Sequence, residues 1–474
     1  MKSIFLAVFI LLYLSSSKAQ TSNNQFPLPA SFPQLFRSTV SVDTKFFPSD
    51  SVWIKRSTFL MQNLKEYKPS KEVINRYGGI VAGGKHKTTG FFYTQKIDGR
   101  WWIIDPEGYK WYCKSLVAVT PNSSDRGKKA LTTAFGSPEN WANKTSEYIK
   151  TLGFNSAGAW SKIQDLSLTR ENKIVYSVVL DIMSQYGYST KVAHQGTGHT
   201  DFKASVMPVF DPGFQLFADK YVKEKTAQVK NDPWLLGYFS DNELNFANDV
   251  LKRILKFPVS DPSYIAAKAW ADKNAIDLSN LTKADEDKFL EYYVERYYSI
   301  VSSAIRKADP NHLLLTSRLH GPDKNRKVMF KIAGKYSDII SYNYYKSWYP
   351  ETKVTDMWVE ESGRPFMITE WYAKGMDSDM PNETGWGWTV KTQADRGNYY
   401  QNFALGLLAN KNCVGWQWFK YMDNDPMAKA DPSNRDSNKG IVTWDYKLYS
   451  DLPNAIKELN VNAYSLINFF DKKL

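Results

Sequence analysis

Cysteine is almost missing from this chain. Cys113 and Cys413 are its two, so no disulfide framework organises the fold, and both read as small buried residues whose pairing stays open. Histidine is nearly as scarce, with five. No His-Glu-x-x-His or comparable Cys/His spacing occurs, so neither metal nor cofactor is expected. Past the N-terminus no apolar stretch is long enough to span a bilayer. No run of five or more basic residues appears despite a formal charge of +12, which argues against a nucleic-acid partner. Internal repeats, low-complexity linkers and Gly-rich phosphate-binding fingerprints are also lacking, which weakens the case for a doubly wound nucleotide-binding sheet.

The first 19 residues read as an export leader. Lys2 supplies the positive start, Ile4 to Leu14 the apolar core, and Ser15-Ser16-Ser17-Lys18-Ala19 a small-residue exit. Removing them takes the charge from +12 to +10 and predicts a secreted or periplasmic protein.

Aromatic residues are what the chain has in excess: 16 Trp, 29 Tyr and 26 Phe. Many belong to a core, yet pairs such as Trp386/Trp388 and Trp416/Trp418 fall in turn-like or Gly-containing stretches. Flat rings with polar edges suit the apolar faces of sugars, so a polysaccharide or oligosaccharide partner is favoured.

Eight β-rich runs follow residue 110: 111–119, 154–160, 175–183, 235–244, 313–320, 338–345, 365–372 and 413–421. Helical patterns lie between them at 138–152, 212–230, 286–308 and 389–409, with a last one at 452–470. Alternating strands and helices argue a parallel sheet, and eight units argue closure into a (β/α)8 TIM barrel. The expected organisation is a signal peptide over 1–19, an N-terminal extension and β-meander over 20–110, and a catalytic barrel over 111–474. Turn signals at Asp98-Gly99 and Pro106-Glu107-Gly108 define the meander, and a helical insertion is expected between Asn245 and Ala284.

Barrel chemistry sits at the C-terminal strand ends. Run four ends Gly237-Tyr238-Phe239-Ser240-Asp241-Asn242-Glu243, and run seven ends Met367-Ile368-Thr369-Glu370-Trp371-Tyr372. A single Glu is most often a solvated surface charge. Two of them in apolar-aromatic runs at two strand mouths would be costly to bury without a role. Glycoside hydrolysis needs such a pair, one carboxylate attacking and one proton donor.

Asn242-Glu243 and Glu370 at those strand ends resemble the signature of clan A glycoside hydrolases. The stretches Asp98-Gly99-Arg100-Trp101-Trp102, Asp105-Pro106-Glu107-Gly108, Gly237 to Leu244 and Gly415-Trp416-Gln417-Trp418-Phe419-Lys420-Tyr421 are similar to those of β-agarases of glycoside hydrolase family 50. The similarity runs from about Gly90 to Tyr446. It implies a retaining two-Glu mechanism, with Glu243 as acid/base and Glu370 as nucleophile, acting on β-galactosidic bonds of agar-type galactans. Those agarases are longer and carry an N-terminal β-sandwich, for which residues 20–90 leave no room, so exo or endo action stays open. Sulfated galactans (carrageenan, porphyran), another β-glycan, and a non-catalytic carbohydrate-binding barrel are the alternatives.

Substrate contacts are expected from Asn242, Trp160, His320, Tyr344, Trp418, Tyr421 and Asp423. Tyr344 with Asn242 would position Glu370 and a sugar hydroxyl, and Trp418 would floor the subsite of cleavage. Core packing competes for Trp160 and Trp418, and local loop stabilisation for the rest. His194, His199, Asp181 and the Asp377–Asn382 loop are weaker candidates. Arg318 and Lys346 near strand mouths would suit sulfate. Asn-x-Ser/Thr sites at Asn122, Asn143, Asn280 and Asn382 matter only in a glycosylating pathway.

Overall fold

A computed structural model describes residues 28–47, 49–162, 172–196, 198–428 and 435–474; the leader read at 1–19 lies outside them. Its centre is an eight-stranded parallel sheet. The strands are β1 (Cys113–Leu116), β2 (Ser156–Ala157), β3 (Val175–Val179), β4 (Leu235–Phe239), β5 (Leu313–Leu314), β6 (Ile340–Asn343), β7 (Phe366–Glu370) and β8 (Cys413–Trp418). Hydrogen-bonded neighbours run β5-β4-β3-β2-β1-β8-β7-β6. The remaining seam closes beyond the regular end of β5: Leu319 bridges Tyr342 in parallel, and the Asn343 amide donates to the Leu319 carbonyl at 2.8 Å. The eight runs expected from sequence therefore each contain a strand, and helices cover the outside.

Glycines in two of the quoted motifs answer to this packing. A side chain on Gly237 would meet the Leu313 carbonyl oxygen at 2.1 Å, and one on Gly415 the Cβ of Cys113 at 2.3 Å. Close approach of adjacent strands excludes any other residue there. Cys113 and Cys413 are both buried and unbridged.

Helix starts follow caps more than apolar periodicity. Helix Lys283–Ala308 begins at a capping box of Thr282 and Asp285, and helix Gln393–Ala409 at one of Thr392 and Asp395. The second helix therefore starts later than position 389, because Trp388–Val390 is a strand. The expected helix over 452–470 is two, Asp451–Val461 and Ala463–Lys473, broken at Asn462. Helices Asp125–Phe135, Ile182–Ser189, Lys327–Tyr336 and Thr352–Ser362 were not expected from the sequence. The insertion after β4 holds helices Val250–Ile254 and Pro262–Lys273.

The N-terminal extension is built into the barrel. Val40–Lys45 pairs with Ile54–Thr58 and also with Trp388–Val390, which continues to Ala373–Gly375, so a four-stranded sheet joins the extension to the segment following β7. Phe32 is wholly buried against Phe36, Phe59 and Phe470, with ring centres 5.1, 5.4 and 5.8 Å away. The meander is present as Tyr93–Ile97, Arg100–Ile104 and Lys110–Trp111, turning at Asp98-Gly99, both at positive φ. Arg100 is buried, donates to Asp471 from Nε and Nη2, and caps the Leu408 and Asn410 carbonyls. Asp105 accepts from the Glu107 and Tyr109 amides. Those two motifs are thus structural. Among the described residues no helix is long and apolar enough to cross a membrane.

Candidate active site

A cleft of about 1060 Å³ opens at the C-terminal strand ends, and both Glu243 and Glu370 line it. Its wall includes Trp160, His199, His320, Asn343, Tyr345, Trp386 and Phe419. Several strand-mouth residues leave the extended conformation there: Trp160, Glu243, Arg318 and Lys346 have φ between 51° and 64°. The left-handed turn ends each strand abruptly and aims the side chain over the barrel. Such backbone is uncommon for non-glycine residues and is held only where the surroundings fix it.

One guanidinium organises the floor. Arg318 is fully buried and ion-paired with Glu370. Its Nε donates to Asn242 Oδ1 at 2.8 Å, and further donors reach the Thr369 carbonyl and Gln417 Oε1 at 3.2 and 3.4 Å. The Trp160 ring lies 4.6 Å from the guanidinium carbon. The other Glu370 oxygen accepts from the Tyr345 hydroxyl at 2.5 Å. Glu243 accepts from Asn343 Nδ2 at 2.8 Å, and that amide also reaches Asn242 Oδ1 at 3.3 Å. Thr369 in turn donates to Asn343 Oδ1 at 2.8 Å, fixing the amide's orientation. His320 Nδ1 stands 3.7 Å from the second Glu243 oxygen, too far for a direct hydrogen bond.

Burial raises both carboxyls above their ordinary range. At Glu243 it is opposed by the Asn343 amide, Arg318 and His199. At Glu370 it is opposed by Arg318 and by the Tyr345 hydroxyl, while the charge of Glu243 adds to it. Two carboxylates that repel across one cleft ionise in separate steps belonging to the pair, so one proton is retained between them over an intermediate pH range. Burial also lowers His320, favouring its neutral form.

The sequence-derived residues divide into two groups. Asn242, Trp160 and His320 join the two glutamates at the cleft, as does His199. Tyr344, Trp418, Tyr421 and Asp423 do not line it. Side chains alternate along a strand. Ser341, Asn343 and Tyr345 therefore face the barrel interior, while Tyr344 turns outward, contacts Trp358 and Phe403, and donates to Glu351 at 2.6 Å. By the same alternation Gln417 faces inward, and Trp418 packs on Trp371 and Tyr400 in the helical layer. Tyr421 is buried on Thr145 and Trp141. Asp423 lines a smaller adjoining cavity of about 420 Å³, but its carboxylate is engaged by the Lys439 and Gly440 amides and by Tyr449.

The Asp377–Asn382 loop also misses the cleft. Asp377 accepts from Gln393, and Asn382 is buried against Asp436 and Asn438. A fully buried Asn382 cannot carry a glycan. Arg318 is committed to Glu370 and Asn242 and has no exposed face for a sulfate. His194 is exposed and outside the lining. Asn343, Tyr345, Phe419, Lys324 and Lys420 were not singled out from the sequence. Strand alternation would have found the first two, because they share a face with Ser341. Among the described residues no group of three or more His, Cys, Asp or Glu is arranged to hold a metal ion.

Comparison with known proteins finds similarity to β-agarases and to solved structures that share the fold. The crystal structure of BpGH50 matches with a TM-score of 0.80 at 32% identity, over 91% of this chain and 96% of that one. The structure of an exo-β-agarase matches with a TM-score of 0.70 at 23% identity, over 84% and 68%, which shows a shared fold. β-Agarase B of Vibrio sp. (strain JT0107) is 25% identical over 486 residues, 82% of this chain and 50% of that protein. The chain thus spans about half the length of that curated relative, and 37% of β-agarase A from the same organism. No family model matches the chain.

Proposed function

The chain belongs to glycoside hydrolase family 50, and from that premise we propose that it is a retaining hydrolase of β-galactosidic bonds in agar-type galactans, with Glu370 as nucleophile and Glu243 as acid/base. The observation that carries the division of roles is the unequal treatment of the two carboxyls. Both Glu370 oxygens accept from strong donors, Arg318 and Tyr345. Glu243 has one amide donor, from Asn343. Burial and the charge of Glu243 push Glu370 up to about 7, which favours the opposite assignment. We place the retained proton on Glu243 because both Glu370 oxygens are held by donors that suit a carboxylate, whereas Glu243 has one.

The reaction follows from that protonation state. Glu370 attacks the anomeric carbon while Glu243 gives its proton to the leaving glycosidic oxygen, forming a glycosyl ester on Glu370. Glu243, now ionised, takes a proton from water, whose oxygen attacks the same carbon and releases Glu370. Positive charge builds on the sugar ring in both transition states, and the adjacent Glu370 carboxylate stabilises it. Trp160 offers a ring at the cleft floor for a sugar face. Agar as substrate rests on the named activity of the Vibrio relatives.

Residues 20–110 and 111–474 act in this reading as one catalytic body, supported by the shared four-stranded sheet. Export is supported by the leader pattern of residues 1–19, and N-terminal sequencing of the mature protein checks it.

The test is product release from agarose, porphyran, carrageenans and unrelated β-glycans, with Glu370→Gln as control. Neoagaro-type products of retained configuration, lost in the variant, are expected. Activity confined to another β-glycan would discard the galactan while keeping the glutamate pair.

A further inference from the structure

The cleft has an outer wall that the mechanism does not use. It is assembled from two distant parts of the sequence. The extension strand Val40–Lys45 pairs with Trp388–Val390, with Thr44 opposite Val390 and Lys45 opposite Thr389. This register sets Phe46 beside Trp386 and Trp388, at ring-centre distances of 5.9 and 5.5 Å. Trp388 is anchored inward by donation to the Ser347 carbonyl at 3.0 Å. Trp386 is left 45% exposed and lines the cleft.

Lys346 meets this wall from the other side. It is exposed, lines the same cleft, and its ammonium lies 4.3 Å from the Trp386 ring centre and 5.2 Å from that of Phe46. Among the described residues no carboxylate is ion-paired with it, whereas Lys324 in the same cleft is paired with Glu351. A cation resting on rings alone is weakly held, and an anion arriving in the cleft competes well for it. Its position is fixed relative to the chemistry: the preceding residue is Tyr345, whose hydroxyl donates to Glu370, and the backbone at Lys346 turns left-handed, with φ 64°.

We infer that Trp386 and Lys346 form an outer subsite for a sugar unit bearing an anionic substituent, a sulfate ester or a carboxylate, in the chain whose bond is cut at Glu243 and Glu370. The ring takes the apolar face of the sugar, and the ammonium leaves the ring to meet the substituent. The extension builds this subsite through Phe46. The inference rests on the proposed galactan hydrolysis and narrows its substrate.

Titration calorimetry on the Glu370→Gln variant is the test, using a neutral neoagaro-oligosaccharide and equally long ones carrying one sulfate or one carboxylate. A charged oligosaccharide should bind about fivefold more tightly than the neutral one at low salt, the size of one exposed ion pair. The gap should narrow as salt rises. Adding Lys346→Gln should close the gap, Lys346→Arg should keep most of it, and Trp386→Ala should weaken all three ligands. Preference for only one of the two anions identifies the substituent. Equal binding of neutral and charged ligands at low salt, or a preference untouched by Lys346→Gln, overturns the inference. Cleavage of neutral agarose by the wild type in that case leaves the proposed function standing. Failure to cleave any galactan sinks the proposed function itself.

Discussion

Arg318 and Glu370 form an ion pair in which the guanidinium is wholly buried and the carboxylate nearly so. Arg318 comes from the end of β5 and Glu370 from the end of β7, and the same guanidinium holds Asn242 beyond β4. A buried cation of this kind is costly unless its donors are used, and here they reach Glu370, Asn242, Thr369 and Gln417. Through Glu370 and Asn242 the one guanidinium ties the end of β7 to the segment that carries Glu243, so its removal should be visible in the pH profile.

Arg318→Met takes away the charge that opposes burial at Glu370. A carboxyl losing a cationic neighbour titrates higher. The proposed nucleophile works only when ionised, so the acid limb of kcat/KM should move to higher pH. Arg318→Lys should recover part of the shift, since it restores charge without the planar fork. A limb that stays in place in the Met variant would remove Arg318 from the mechanism.

Tyr345→Phe and Tyr344→Phe should separate cleanly. Loss of a hydrogen bond to a charged group costs about 1.5–3 kcal/mol, so Tyr345→Phe should lower kcat roughly 10- to 100-fold. Tyr344→Phe removes a donor to Glu351 on the outer face and should lower Tm while sparing kinetics. Equal kinetic effects from the two would contradict the strand alternation described above.

Glu243→Ala should slow hydrolysis of galactan by about 10²- to 10⁴-fold, the usual contribution of a general acid. An aryl glycoside with an acidic leaving group needs no proton and should suffer less in its first step. Added azide should then take the place of water and yield a β-glycosyl azide. Absence of any azide product, with galactan and aryl substrates slowed alike, would argue against the acid/base role.

The extension and the barrel should unfold together. Phe32→Ala removes a fully buried ring shared with Phe59 and with Phe470 of the last helix, at a cost of about 3–5 kcal/mol. Calorimetry should give one transition for the wild type and one, at lower Tm, for the variant. Two separated transitions would mean that residues 28–110 form an independent unit.

The barrel was legible in the sequence because its signals are local. Eight apolar runs separated by amphipathic stretches give period and count without any knowledge of contacts. Glu243 and Glu370 were legible for a related reason, as acids closing apolar strand runs. Tyr345 and Asn343 were within reach as well, since alternation from Ser341 places them inward, yet the aromatic character of Tyr344 and Trp418 pointed to the outward face.

What the sequence alone determined, then, was the repeating pattern and the two acids at strand mouths, because burial period and polar cost act residue by residue along the chain. Only the tertiary structure decided which groups share a site. Arg318 reads in sequence as a strand-mouth cation suited to a sulfate and becomes a buried partner of Glu370 only when β5 and β7 curl round one axis. Phe46 meets Trp386 only because a register of strands far apart in the chain brings them together. Contacts of that range depend on closure of the whole barrel, and no local pattern encodes them.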